Sequence, residues 1–225
     1  MTSMHRIFMA GCVTLLSAAA WATENAWQGP SIVGSFNAYS RAEPASKMTG
    51  KLYLSRDGLR SEMPMPVGRM LTILNDKAGK CWYADDSKKI FMEATLNRKT
   101  GDCPSFMGEA MDANADKSPA TAVPCEGYAK KSSLGGATVA KRAVEKWSCS
   151  GGQGISDATQ WHDPKLQFML KEETSDGEVM EFHELSETSF AASLLEMPKG
   201  MKRVSAEEFR KQLFDGMLPP GVPTR

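Results

Sequence analysis

Met48-Thr-Gly-Lys-Leu-Tyr-Leu-Ser55, Arg56-Asp57-Gly58 and Leu59-Arg-Ser-Glu-Met63 together decide the fold. The first and last runs alternate apolar and polar residues, the period of a strand with one buried face. Asp57-Gly58 between them is a hairpin signal, because glycine accepts the positive φ that tight turns need. The same unit repeats outward from this point. Arg69-Met-Leu-Thr-Ile-Leu74 precedes a turn at Asp76–Gly79, and Lys80-Cys-Trp-Tyr-Ala84 follows it. Asp85-Asp86-Ser87 turns the chain into Ile90-Phe-Met-Glu-Ala94. Further on, Leu134–Ala140 and Arg142–Cys149 read as an antiparallel pair. Thr159–His162 turns at Asp163-Pro164 into Gln167–Lys171, and Ser175-Asp176-Gly177 leads into Glu178–Leu185. Strand signals thus run from Ser31 to Ser186. The chain is predicted to be α+β, mostly β, with an antiparallel sheet.

Two segments break the rhythm. Residues 95–127 are rich in Asn, Asp, Lys, Ser and Pro, with one or two helical turns predicted from Ser105 to Met111. At the C-terminus, Ser205 and Glu208 form a capping box. Ala206, Phe209, Leu213 and Met217 then share a helical face, and Pro219-Pro220 stops the helix. A helix this short is marginal alone, so it is expected to dock on the sheet.

The N-terminus points to export. His5 and Arg6 precede an uncharged run from Ile7 to Ala20, and Ala20-Trp21-Ala22 suits signal peptidase cleavage before Thr23. The run is too short to span a bilayer. Met9-Ala10-Gly11-Cys12 resembles a lipoprotein box, but too few apolar residues precede it, so a lipid anchor at Cys12 is disfavoured. Residues 1–22 are read as a signal peptide, leaving a mature protein, periplasmic or secreted, that is not integral to the membrane. Loss of Arg6 from the 27 Lys/Arg leaves 26 against 27 Asp/Glu, a net charge of −1. That balance argues against nucleic-acid partners.

Cys81, Cys103, Cys125 and Cys149 remain. An even count in an exported chain reads as two disulfides, with three pairings open. Local closure favours Cys81–Cys103 and Cys125–Cys149, each tying one end of the 95–127 insertion to a neighbouring strand.

Chemistry is scarce. His162 and His183 are the mature histidines, and each reads as an exposed strand residue. Asp85-Asp86 and Glu172-Glu173 read as solvated pairs beside turns. No phosphate loop, nucleophile elbow or metalloprotease motif occurs. The expectation is a protein that is not an enzyme and carries no cofactor. Methionine is the compositional oddity: 15 in the chain, including Met63, Met65 and Met70. Thioethers bind Cu(I), which makes copper handling one reading; flexible core filler is the other.

Three segments carry a family resemblance. They are Gly50–Arg60, Leu134–Arg142 running on to Trp147, and Trp161-His-Asp-Pro164 with the later Met197-Pro-Lys-Gly-Met-Lys202. From Ser31 to Val204 the chain resembles the periplasmic half-barrel superfamily of the lipoprotein-localisation carriers LolA and LolB. Ala140, where relatives commonly have Gly, and His162, where an apolar residue is usual, depart from that pattern, as does the insertion. The resemblance implies a half-barrel domain over residues 23–204, a strongly curved sheet with helical cover, followed by a helix and Pro-rich tail over 205–225. In the carriers the concavity holds acyl chains; other relatives act as envelope sensors. Two functions follow as expectations: binding a hydrophobic or lipid-like ligand, or contacting an envelope protein. The residues expected to supply an apolar cavity are Met63, Met70, Leu71, Ile73, Phe91, Met92, Met169, Met180 and Phe182. Alternation allows only about half of them to face one side.

Overall fold

A computed structural model describes residues 27, 29–65, 68–97, 103–104, 123–152 and 155–214. The proposed signal peptide with its Cys12 box, most of the insertion including the turns over 105–111, and the tail with Met217 and Pro219-Pro220 lie outside the described residues.

Every predicted strand forms. β1 (Ile32–Ser40), β2 (Glu43–Ser55), β3 (Gly58–Met65), β4 (Gly68–Asn75), β5 (Lys80–Asp85) and β6 (Ile90–Thr95) precede the insertion. β7 (Lys130–Val139), β8 (Arg142–Ser150), β9 (Ala158–Asp163), β10 (Phe168–Thr174) and β11 (Glu178–Glu187) follow it. A short β12 (Lys202–Arg203) and one helix, α1 (Ala206–Phe214), complete the described elements. β1 was not singled out in the sequence, although Ile32, Phe36 and Ala38 give it the right period. Gly34 interrupts that signal.

The strands make one open sheet in the order β12-β6-β5-β4-β3-β2-β1-β11-β10-β9-β8-β7. Each pairing is antiparallel except β12 with β6. The sheet is therefore two meanders joined by the β1–β11 ladder, which runs from Ile32↔Glu187 to Ser40↔Glu178. It is curved and does not close into a barrel. The C-terminal half curls hardest: β7 touches β11, four positions away in strand order. Arg142 clasps this roll, pairing with Asp163 at its side and with Glu187 of β11 at 2.9 Å.

Turn chemistry departs in detail from the sequence reading. Ser55 pairs with Gly58, so Arg56-Asp57 make the two-residue connection and Gly58 opens β3. Its φ of +146° and a Leu74 oxygen 2.0 Å from where a Cβ would stand explain why only glycine fits. At the β7–β8 hairpin, Ala140 and Lys141 both take positive φ, the geometry of a type I′ turn.

The two faces are covered differently. Cross-strand registers put Phe36, Leu52, Leu54, Leu59, Leu74 and Cys81 on one side, here the inner face, where they join a single apolar cluster. Beyond β11 the chain crosses the outer face. A 3-10 turn at Ala192–Leu195 packs on β3 and β4, with Arg60 Nη1 donating to the Leu194 carbonyl and Asn75 Nδ2 to that of Leu195. Phe190 meets Tyr53 edge-on at 5.7 Å. Gly200, with φ +82°, then turns the chain into β12 against the β6 edge. α1 lies beside β6, with Phe209 and Leu213 buried in the inner cluster. Ser205 caps it as expected, accepting from Glu208 N at 3.1 Å. The Glu208 carboxylate instead accepts from Gln212, one turn on.

Candidate binding face

The inner face is assembled by alternation. Met63 and Met70 are directly across from each other on β3 and β4, and Met92 of β6 is across from Tyr83. Met180 and Phe182 of β11 stand across from Ala38 and Phe36. The Phe36 and Phe182 rings lie 5.5 Å apart, and Phe168 meets Phe182 edge-on at 5.4 Å. Met169 reaches the same cluster beside a bulge at Met169/Lys171. Six of the nine expected cavity residues therefore converge. Leu71 and Ile73 point to the outer face, across from Ala84 and Trp82 and on the side where Leu195 packs. Phe91, across from Ala84, shares that outer side.

Toward the other end of the sheet the inner face becomes polar. Trp147, Gln160, Glu172, Met180 and Ala38 form one cross-strand row from β8 to β1. Gln160 Nε2 donates to Glu172 Oε2 at 2.7 Å, while Gln160 Oε1 accepts from Cys125 N at 2.8 Å. This corrects the reading of Glu172 as solvated: its place in the row buries it, and burial raises its pKa despite the Gln160 hydrogen bond. Asp85 is also buried rather than solvated, because its Oδ1 turns inward to accept from Ser87 N and Lys88 N. His162 is buried too, on the inner side of β9 across from Met169 and Glu145; His183 is exposed, as expected. The indole Nε1 of Trp147 is a buried donor with no acceptor among the described residues. Sequence reasoning missed this polar row, since only the register reveals it.

Disulfides join Cys81 to Cys103 and Cys125 to Cys149, with Cα separations of 6.0 and 5.2 Å. Both expected pairings form. Each ties an end of the insertion to a strand, β5 or β8.

Glu172 has a pH signature. Its folded pKa is raised, so the folded state holds a proton that the unfolded chain releases above about pH 4.3. The protonated carboxyl's contribution is full below that value and is lost as pH rises through the folded pKa. Glu172→Gln keeps the acceptor for Gln160 and cannot ionise. Urea midpoints from pH 4 upward are expected to show the variant gaining on the parent as pH rises; parallel curves would refute the buried protonated carboxyl.

Among the described residues, no helix is long and apolar enough to cross a membrane, and no three His, Cys, Asp or Glu side chains group to hold a metal ion. One open, curled, almost wholly antiparallel sheet with a helix at its edge makes this a half-barrel at the level of fold. No protein-family model and no curated protein matches the chain. Among solved structures, an uncharacterized conserved protein from Thermus thermophilus shares the fold, with a TM-score of 0.52 and 10% identity over 79% of this chain and 91% of that one. MucB in the Pseudomonas aeruginosa MucA/MucB complex matches more loosely, at a TM-score of 0.48 and 14% identity over 87% of this chain. The match spans 62% of the MucB chain. A LolA superfamily protein from Nitrosomonas europaea matches at 0.29 and 9% identity, over 83% of this chain and 97% of that one.

Proposed function

We propose that this is a non-enzymatic, exported protein of the cell envelope whose inner sheet face binds a hydrophobic, lipid-like ligand. The observation that carries the reading is the convergence of Met63, Met70, Met92, Met169, Met180 and Phe182 from five strands into one buried apolar cluster on the inner face. Methionine is unbranched and polarizable, so such a surface adapts to irregular apolar shapes. α1 is the built-in competitor: Phe209 is 0% and Leu213 3% exposed, and they take part of that face for the protein's own core.

The test is uptake of a fluorescent fatty-acid probe by the chain beginning at Thr23. Phe209→Ala with Leu213→Ala loosens the helix and is expected to tighten probe binding about fivefold or more, because the competing state is weakened. If neither protein takes up the probe, the ligand reading fails. An envelope protein partner is the second reading, favoured by the β7 edge. Lys130–Gly136 of that strand are exposed on both faces, Leu134 is 52% exposed, and open space adjoins Gly135 and Gly136.

A further inference from the structure

We propose that Met48, Met63, Met65 and Met70 form a thioether site for a soft monovalent cation, Cu(I) in biological terms. The inference does not need the ligand reading, although Met63 and Met70 serve in both, and it rests on register. On β3, Met63 and Met65 share the inner face with Leu59, which stands across from Leu54. Met70 is directly across from Met63 on β4. On β2, Met48 has the same parity as Leu52 and Leu54, stands across from Ala38 of β1, and lies three residues beyond Lys51, where the pairing with Glu62 of β3 ends. Directly opposed residues have Cβ atoms about 5 Å apart and diagonal ones about 7 Å, so the long thioethers of Met63, Met65 and Met70 are within reach of one another, with Met48 on the next strand beside them.

The other inner methionines differ in a way that matters. Met92, Met169 and Met180 are each buried and stand across from Tyr83, His162 and Ala38 or Glu172, with no methionine opposite. Each enters the apolar cluster singly. In the quartet Met63 and Met70 are buried, whereas Met48 and Met65 are only partly so. The group therefore runs from the apolar interior toward the rim of the sheet, where an ion can enter.

The donor set selects the ion. Thioethers are neutral and soft; they suit Cu(I) and offer little to Zn2+, Ca2+ or Mg2+, which need nitrogen, thiolate or oxygen ligands. Asp85, across from Met70 on the other side, has its Oδ1 committed to the Ser87 and Lys88 amides. Binding breaks no covalent bond and releases no proton, because a thioether has none to lose. Affinity should then be flat between about pH 5.5 and 8, unlike that of cysteine or histidine sites, which release protons on binding.

Anaerobic titration of the disulfide-intact protein with Cu(I), against a chromophoric Cu(I) chelator, measures affinity. Ag(I) with 13C-methyl methionine NMR locates the site. One equivalent is expected, shifting the methyls of Met48, Met63, Met65 and Met70 and leaving those of Met92, Met169 and Met180 in place. Met63→Leu with Met70→Leu preserves volume and apolarity, so it keeps the fold, and is expected to weaken binding at least about tenfold. The same pair of substitutions at Met92 and Met180 should leave affinity unchanged. No binding, shifts spread over all the methionines, affinity that survives the Met63/Met70 change, or a steep pH dependence would each overturn the site.

Discussion

Phe36→Ala is expected to destabilise the fold by about 3–5 kcal/mol, among the largest effects available from one side chain. Phe36 is 1% exposed, packs against Phe182, and lies over the bare backbone of Gly50 on the neighbouring strand. A Cβ at Gly50 would stand 2.3 Å from Phe36 Cζ and 2.9 Å from the Glu62 carbonyl oxygen. Gly50→Ala alone should therefore cost about 1–3 kcal/mol by overpacking. The pair makes a sharper test than either change. With the ring removed, the new methyl loses its main clash and fills part of the void, so the double variant should be more stable than additivity allows, by about 1 kcal/mol or more. Urea unfolding of the four proteins measures this. Strict additivity would mean that ring and glycine are not the coupled unit the geometry shows.

Loss of the Cys125–Cys149 bridge, by paired substitution to serine, is expected to cost about 3 kcal/mol from chain entropy over its separation of 24 residues. The consequence reaches further than the count suggests. Cys125 N is the donor to Gln160, which in turn donates to Glu172, so the bridge also holds a buried polar chain together. Freed, the Cys125 segment leaves Gln160 Oε1 without its partner, and unmet buried acceptors cost about 1–3 kcal/mol more. Removing Cys81–Cys103, with a similar separation of 22, lacks this second component among the described residues and should cost less. Equal losses for the two bridges, or losses under about 1 kcal/mol, would show that the ends of the insertion are held by something else.

Much of the fold was legible because strand period and turn residues are local signals. The Lys51–Glu62 hairpin could be read at sight, and so could the Ser205 cap with Phe209 and Leu213 on one helical face. Pairing across distance could not. Nothing local says that β1 lies beside β11, and that ladder alone joins the two meanders. Burial was misread for the same reason. Asp85, Glu172 and His162 look like surface residues beside turns, yet register turns them inward, where hydrogen bonds or neighbouring strands enclose them. The apolar candidates divided as a period of two requires. Met63 and Met70 went inward and Leu71 and Ile73 outward, a split that could be foreseen in number but not in sign.

The β1–β11 ladder also sets a schedule for making the molecule. Its partners lie far apart in the sequence, so the middle of the sheet stays unsealed until Glu187 is free to pair with Ile32. Until then β1 waits with one side unpaired, and β2 to β6 can zip only as a one-sided meander. Contacts so distant along the chain make for slow folding, and a waiting strand edge is prone to pair with the wrong neighbour. For this chain the period before that ladder closes is the vulnerable one, and a holding factor that shields the Ile32–Ser40 edge during it would raise the yield of correctly folded protein.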